Sequence, residues 1–131
     1  MKKTIITNNL LVHDKYNEKM GIIYLEEFSY LDILKFVRDK IHKGHKLLTH
    51  PLSGSIKPNE TPFKSVAIST KKGILDLQSL EIIQECIITT EKFIKVKKTP
   101  NWTKEILEDF SLIDFSVIDG AIQSMEQFYY R

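Results

Sequence analysis

Three of the four histidines in the chain, His42, His45 and His50, fall within nine positions, and a Ser53-Gly54-Ser55 turn follows close behind. Imidazole is the side chain whose ordinary titration falls near neutral pH, so the cluster invites acid–base, metal-ligating or anion-binding chemistry. The turn adds two hydroxyls and, at Gly54, backbone N–H groups with no Cβ in the way. Asn59 supplies further hydrogen-bonding groups, and Lys57 and Lys64 supply charge. From Arg38 to Lys64 six Lys or Arg face two acids, a net of +4, which leaves −2 for the rest of a chain whose total is +2. Pro51, Pro58 and Pro62 stiffen the segment and lower the entropy lost when it orders.

Each chemistry can be weighed against a plainer role. Metal binding by His42, His45 and His50 is disfavoured, because Gly44 is placed to end a helix between the first two and no Cys lies nearby. No metal and no other cofactor is therefore expected. A nucleophile at Ser53 or Ser55, activated by His50 and oriented through Glu60, lacks the Gly-x-Ser-x-Gly elbow that would support it. An anion site, such as one for phosphate or carboxylate, suits the turn and its lysines. Two further readings stay open: a surface for a protein partner, or a proline-rich loop that merely covers a sheet edge.

The elements around this segment decide where it would sit. Thr4–Thr7 is a short β-branched run ending on Asn8-Asn9, a turn pair, and Asn9 is placed to cap a helix over 10–20 with Leu11, Val12, Tyr16 and Met20 inward. Ile22–Leu25 reads as a second strand. Ser29 with Asp32 opens a helix through Tyr30, Leu34, Val37 and Ile41 that Gly44 closes. Lys46–Thr49 reads as a third strand and 63–69 as a fourth. Asp76 caps a helix that ends in lysines before Pro100, and a last helix runs from near Thr103, with a break expected around 110–112 and close packing at Gly120.

The expected fold is a small three-layer α/β domain over 1–131, with a mostly parallel sheet of about four strands and two C-terminal helices. In such sheets ligands bind outside the carboxyl ends of the strands. If the first and third strands are parallel, Asn8 and Asn9 share that edge with His50 and the loop that follows.

Composition narrows the function classes. Of 131 residues 42% are apolar, enough for one core. The single Cys86 excludes an intrachain disulfide framework and reads as a buried thiol. The small net charge and the lack of an aromatic-interleaved basic motif argue against nucleic acid. The apolar stretch after Lys2-Lys3 stops at Asn8, too short for a secretory signal, and no run approaches the roughly 18 residues of a membrane span. No membrane association and a cytoplasmic location are expected.

The run Arg38-Asp39-Lys40-Ile41-His42-Lys43-Gly44-His45-Lys46-Leu47-Leu48-Thr49-His50-Pro51-Leu52-Ser53-Gly54-Ser55-Ile56-Lys57-Pro58-Asn59-Glu60-Thr61-Pro62-Phe63-Lys64-Ser65 resembles the GrdX family. The Thr7-Asn8-Asn9 start and the acidic–apolar tail around Asp114 and Asp119 are compatible with it, while Leu10 stands where Pro is expected. The resemblance implies a genomic setting: such proteins are encoded with glycine, sarcosine or betaine reductase genes of anaerobic amino-acid fermenters. It supplies no catalytic residues. It implies an accessory of a selenoprotein reductase system that forms acetyl phosphate by reductive deamination. One Cys cannot serve as a dithiol relay, so the chain does not read as a reductase subunit itself.

The expectation is thus an accessory protein that binds a reductase subunit or a small anionic metabolite through its 42–65 loop. Asn8, Asn9, His50, Ser53, Gly54, Ser55, Asn59 and Lys64 would line the site. The alternative is a small enzyme acting on an anionic metabolite with His50 as general acid or base. Self-association is left open.

Overall fold

The computed structural model describes residues 2–52 and 56–129. The elements are β1 (Lys3–Thr7), α1 (Leu10–Tyr16), β2 (Gly21–Tyr24), α2 (Tyr30–His42), β3 (Ser65–Ser69), α3 (Leu77–Val96) and α4 (Lys104–Tyr129). Pairing follows the order β2-β1-β3, with β1 and β2 parallel and β1 and β3 antiparallel.

Period-two side chains divide the core. Ile6, Val66 and Ile68 face α2 and α3, where they meet Ile33, Leu34, Val37, Ile41, Ile83 and Ile87. Ile5 and Ala67 face α1 and α4, against Val12, Tyr16, Ile118 and Ile122. The three layers are therefore helix pair, sheet, helix pair.

Two features of the expected sheet are overturned. It has three named strands rather than about four, and the β1–β3 pair is antiparallel. Four helices flank it, two on each face, instead of two added at the C-terminus. The connection explains the direction. A parallel return needs a crossover of about a dozen or more residues, usually a helix. Among the described residues no helix lies between Thr49 and Ser65, and the chain comes back as β3 without a crossover helix.

Hydroxyl groups explain why 46–49 is not a full strand. The Lys46 N–H donates to Ser69 Oγ, the Leu47 N–H to Ser79 Oγ, and the Ala67 N–H to Thr49 Oγ1. The Lys46 and Ala67 donors are the ones a ladder with β3 would use, whereas the Leu47 N–H points away from β3. What remains is one antiparallel bridge, Leu47 to Ile68, flanked by the bonds Leu48 N–H to Ala67 O and Ser69 N–H to Lys46 O. Because 46–49 runs against β3, and β3 against β1, this edge segment still points the same way as β1.

Helix boundaries follow the cap chemistry. Ser29 and Asp32 form a reciprocal capping box at α2, and Asp76 accepts from the Ser79 N–H at α3. Gly44 takes φ +104°, and an added Cβ would stand 2.3 Å from Gly73 O. α1 is shorter than expected and leaves Leu11 exposed. α4 passes through 110–112 without a break, and nothing approaches Gly120, so the close packing expected there is absent.

Candidate functional site

β1 releases Asn8 and Asn9 at its carboxyl end, and both turn into the protein. Asn8 Nδ2 donates to Phe28 O (2.8 Å) and Pro62 O (2.9 Å), and its Oδ1 accepts from the Lys64 N–H (2.9 Å). Both amide hydrogens are committed, so Asn8 buckles the β2–α2 connection to the end of the long loop. Asn9 does the same for α4. Its Nδ2 donates to Ser111 O (2.8 Å) and Asp114 Oδ2 (3.0 Å), while its Oδ1 accepts from Leu11 N–H and Ser111 Oγ.

Around Asn9 the hydroxyl directions are fixed by counting protons. Ser65 Oγ has one hydrogen and gives it to Asp114 Oδ2 (2.8 Å), so Thr7 Oγ1 is the donor in the 2.6 Å Thr7–Ser65 contact. Thr7 Oγ1 in turn accepts from the Asn9 N–H (2.9 Å). A buried relay therefore runs from a backbone amide through two hydroxyls to a carboxylate.

Lys64 is also buried, at 6% exposure. Its Nζ donates to Pro51 O at 2.6 Å and lies 5.3 Å from the centre of the Tyr30 ring. Burial pulls the ammonium below its ordinary titration range, and the negative charges of Asp114 and of an ionised Cys86 oppose that. Cys86 lies on α3 beneath the same loop, and burial pushes its thiol up to about 11, the pattern of an inert core cysteine.

The remaining expected residues part company. His50 is exposed, and its Nδ1 accepts from the Leu52 N–H (3.1 Å), so the neutral ring carries its proton on Nε2. Asn59 leads away to α3, where Nδ2 donates to Phe93 O (3.2 Å) and Lys97 O (3.0 Å). Its Oδ1 is buried without a partner. Ser53, Gly54 and Ser55 lie outside the described residues. The loop is fixed on both sides of them, by Lys64 on Pro51 O and by Trp102 Nε1 on Glu60 O (2.6 Å).

His42 ends α2 in solvent, and His45 is buried with Nδ1 on Ser69 O (2.8 Å). Among the described residues no group of three His, Cys, Asp or Glu is arranged to hold a metal ion.

Thr7, Ser65, Ser111 and Asp114 belong to this knot and were not expected in it. A signal for Asp114 is present in the sequence. It stands four residues before Ile118 and eight before Ile122, both in the core, which puts a carboxyl on the buried stripe of α4.

Beside the knot is an open cleft of about 420 Å³. Asn8, Asn9 and Ser111 line it together with Leu10, Leu11, Tyr24, Phe63 and Leu107, and Glu26, Lys104 and Glu108 add charge. Leu10 and Leu11 are 54% and 43% exposed.

The model of the family described as GrdX-like protein matches residues 4–123 of the 131. No curated protein and no solved structure gives a match. The chain belongs to the GrdX-like family, and the match includes every residue of the knot.

Proposed function

We propose that this GrdX-like chain is a non-catalytic accessory of a glycine reductase system that docks a reductase subunit on the face formed by the 42–65 loop and the adjoining cleft. One observation carries the reading: Asn8, Asn9 and Lys64 direct their polar groups inward and fasten the rim, while Leu10, Leu11 and Phe63 are left toward the cleft. A catalytic or anion site would need convergent polar groups aimed outward. A fixed relief edged with apolar side chains instead suits a protein surface. The cytoplasm, where glycine reductase works, is the proposed location, and the chain's own thiol takes no part in redox chemistry.

The test is size-exclusion chromatography of the chain with purified glycine reductase subunits, one at a time. Co-elution with one subunit, lost in Leu11→Glu but kept in the surface control Glu91→Gln, is the expected result. Absence of co-elution with every subunit overturns the proposal. So does a thermal shift given by acetyl phosphate and abolished in His50→Ala, which would favour a small-anion site at the same loop.

A further inference from the structure

The opposite end of the sheet is built differently. There β1 begins and β3 ends, and an open cleft of about 670 Å³ is lined by Lys2, Lys46, Lys71 and Lys72, with Asp76 the one acid. None of these four ammonium groups forms an ion pair among the described residues. A second cleft of about 380 Å³ shares Lys2 and adds Lys3 and Lys19, with Glu126 its one acid. Directly beside the lysines stands a ridge of aliphatic side chains: Ile74 is 95% exposed, Leu77 71% and Leu75 40%.

The segment that carries both features is held in place. Thr70 N–H donates to Lys2 O, Ser69 Oγ to Lys71 O, and Gly73 N–H to Gly44 O at 2.8 Å. The two glycine backbones pack so closely that a Cβ at Gly44 would stand 2.3 Å from Gly73 O. Ile74 is thus presented by an anchored turn and Leu77 by the first turn of α3. Aliphatic side chains left this bare on an ordered turn lose hydration cost only when something covers them.

Three kinds of anionic partner can be compared on this geometry. A single phosphate needs convergent donors, but the backbone N–H groups of Thr70 and Gly73 are already used, and the lysines surround an open cleft. Single-stranded nucleic acid needs aromatic platforms, and no aromatic residue lines either cleft. An acidic protein segment with an apolar face meets both features at once, its carboxylates on the lysines and its aliphatic side chains on the ridge.

We infer that the lysine-lined end, with the Ile74–Leu77 ridge, is a docking surface for an acidic amphipathic segment of a partner protein. Gly44 and Lys46 also belong to the 42–65 segment, but the cleft they line shares no residue with the one beside Asn8, Leu11 and Phe63, and the inference stands whether or not that other cleft binds a reductase subunit.

The experiment is fluorescence anisotropy with a labelled synthetic peptide of about 15 residues, Glu and Leu arranged so that Leu recurs every three or four positions. The expected result is saturable binding that weakens as salt is raised. In Ile74→Ser/Leu77→Ser affinity should fall about tenfold or more, since two aliphatic side chains lose their burial. Lys71→Gln/Lys72→Gln should weaken binding and flatten its salt dependence. All four positions are exposed, so circular dichroism of the variants should match the parent. Leu11→Glu, at the other end, should bind as the parent does.

No binding of the Glu/Leu peptide overturns the inference. Equal binding by Ile74→Ser/Leu77→Ser, or equal binding of a Lys/Leu peptide of the same pattern, overturns it as well. Displacement of the peptide by oligothymidylate or tripolyphosphate at matching affinity would show a general polyanion site in its place.

Discussion

Asp114 is the acceptor on which the buried polar knot converges, because Ser65 Oγ and Asn9 Nδ2 both end on its Oδ2. Removing it strands two buried donors, which costs more than the net value of the bonds themselves. Asp114→Ala should therefore lower unfolding free energy by about 2–4 kcal/mol in urea titration, well above an exposed helix substitution such as Glu108→Ala. Lys64 behaves in the opposite sense. The fold holds its ammonium below the ordinary value of 10.5, chiefly through burial, so the unfolded chain binds the proton more tightly. Stability contributed through this group accordingly rises as pH climbs toward the unfolded value. Lys64→Met, which keeps the stem and removes the charge, should equal or exceed the parent in stability at pH 7. That advantage should shrink by about pH 9.5, as the parent's unfolded state begins to lose the same proton. Urea midpoints at the two pH values test it, and an advantage that widens with pH would contradict it. The sequence did single out Asn8, Asn9 and Lys64 as residues of one site. It could not show that they face inward, since Asn and Lys serve solvent, ligand or buried carbonyl equally well.

At the scale of elements, the edge segment 46–49 illustrates how side chains override a strand signal. Lys46-Leu47-Leu48-Thr49 has strand length and an apolar centre, yet Ser69, Ser79 and Thr49 hydroxyls take three of the local N–H groups. Those hydroxyls lie up to 32 positions away in sequence, so no local pattern reveals the substitution. Ser79→Ala should leave the Leu47 N–H without its acceptor at a 2% exposed position. The expected cost is about 1–3 kcal/mol, with faster hydrogen exchange at Leu47 than at Leu48, whose N–H is bonded to Ala67 O. Caps were far more legible. Asn9, Ser29, Asp76 and Gly44 act where their types and spacing place them, because a cap is satisfied within a few residues of itself. Gly120 is the exception. Its position in α4 suggested close packing, but an added Cβ meets nothing. Gly120→Ala should then gain close to the full helix preference, about 0.5–1 kcal/mol, and raise Tm by a few degrees.

For the molecule as a whole, the layers were readable and the direction of the last strand was not. Adjacent Ile5 and Ile6 necessarily point to opposite faces, and four amphipathic helices need two faces to cover. Direction depends instead on whether a helix occupies the 50–64 connection, and a proline-rich loop there sends β3 back antiparallel. The result sets α1 against α4 on one side, tied at its cap through Asn9 and near its end through Asp119. Its carboxylate accepts from the Tyr16 hydroxyl and pairs with Lys15 at 3.2 Å. The Tyr16 hydrogen bond, more than the nearby lysines, holds the Asp119 carboxyl below its usual range, while partial burial works against it. A carboxyl whose folded pKa is depressed binds fewer protons when folded than when unfolded. The stability it contributes is complete above the unfolded value and disappears as pH falls through the folded one. Asp119→Asn should therefore lose about 1–2 kcal/mol near pH 7, where the ionised acceptor is present in the parent. The gap between the two proteins should narrow steadily below pH 4 as the parent carboxyl is protonated. Parallel urea titrations from pH 7 to 3 check this, and a difference independent of pH would mean that the side chain acts through packing, not through its charge on Tyr16.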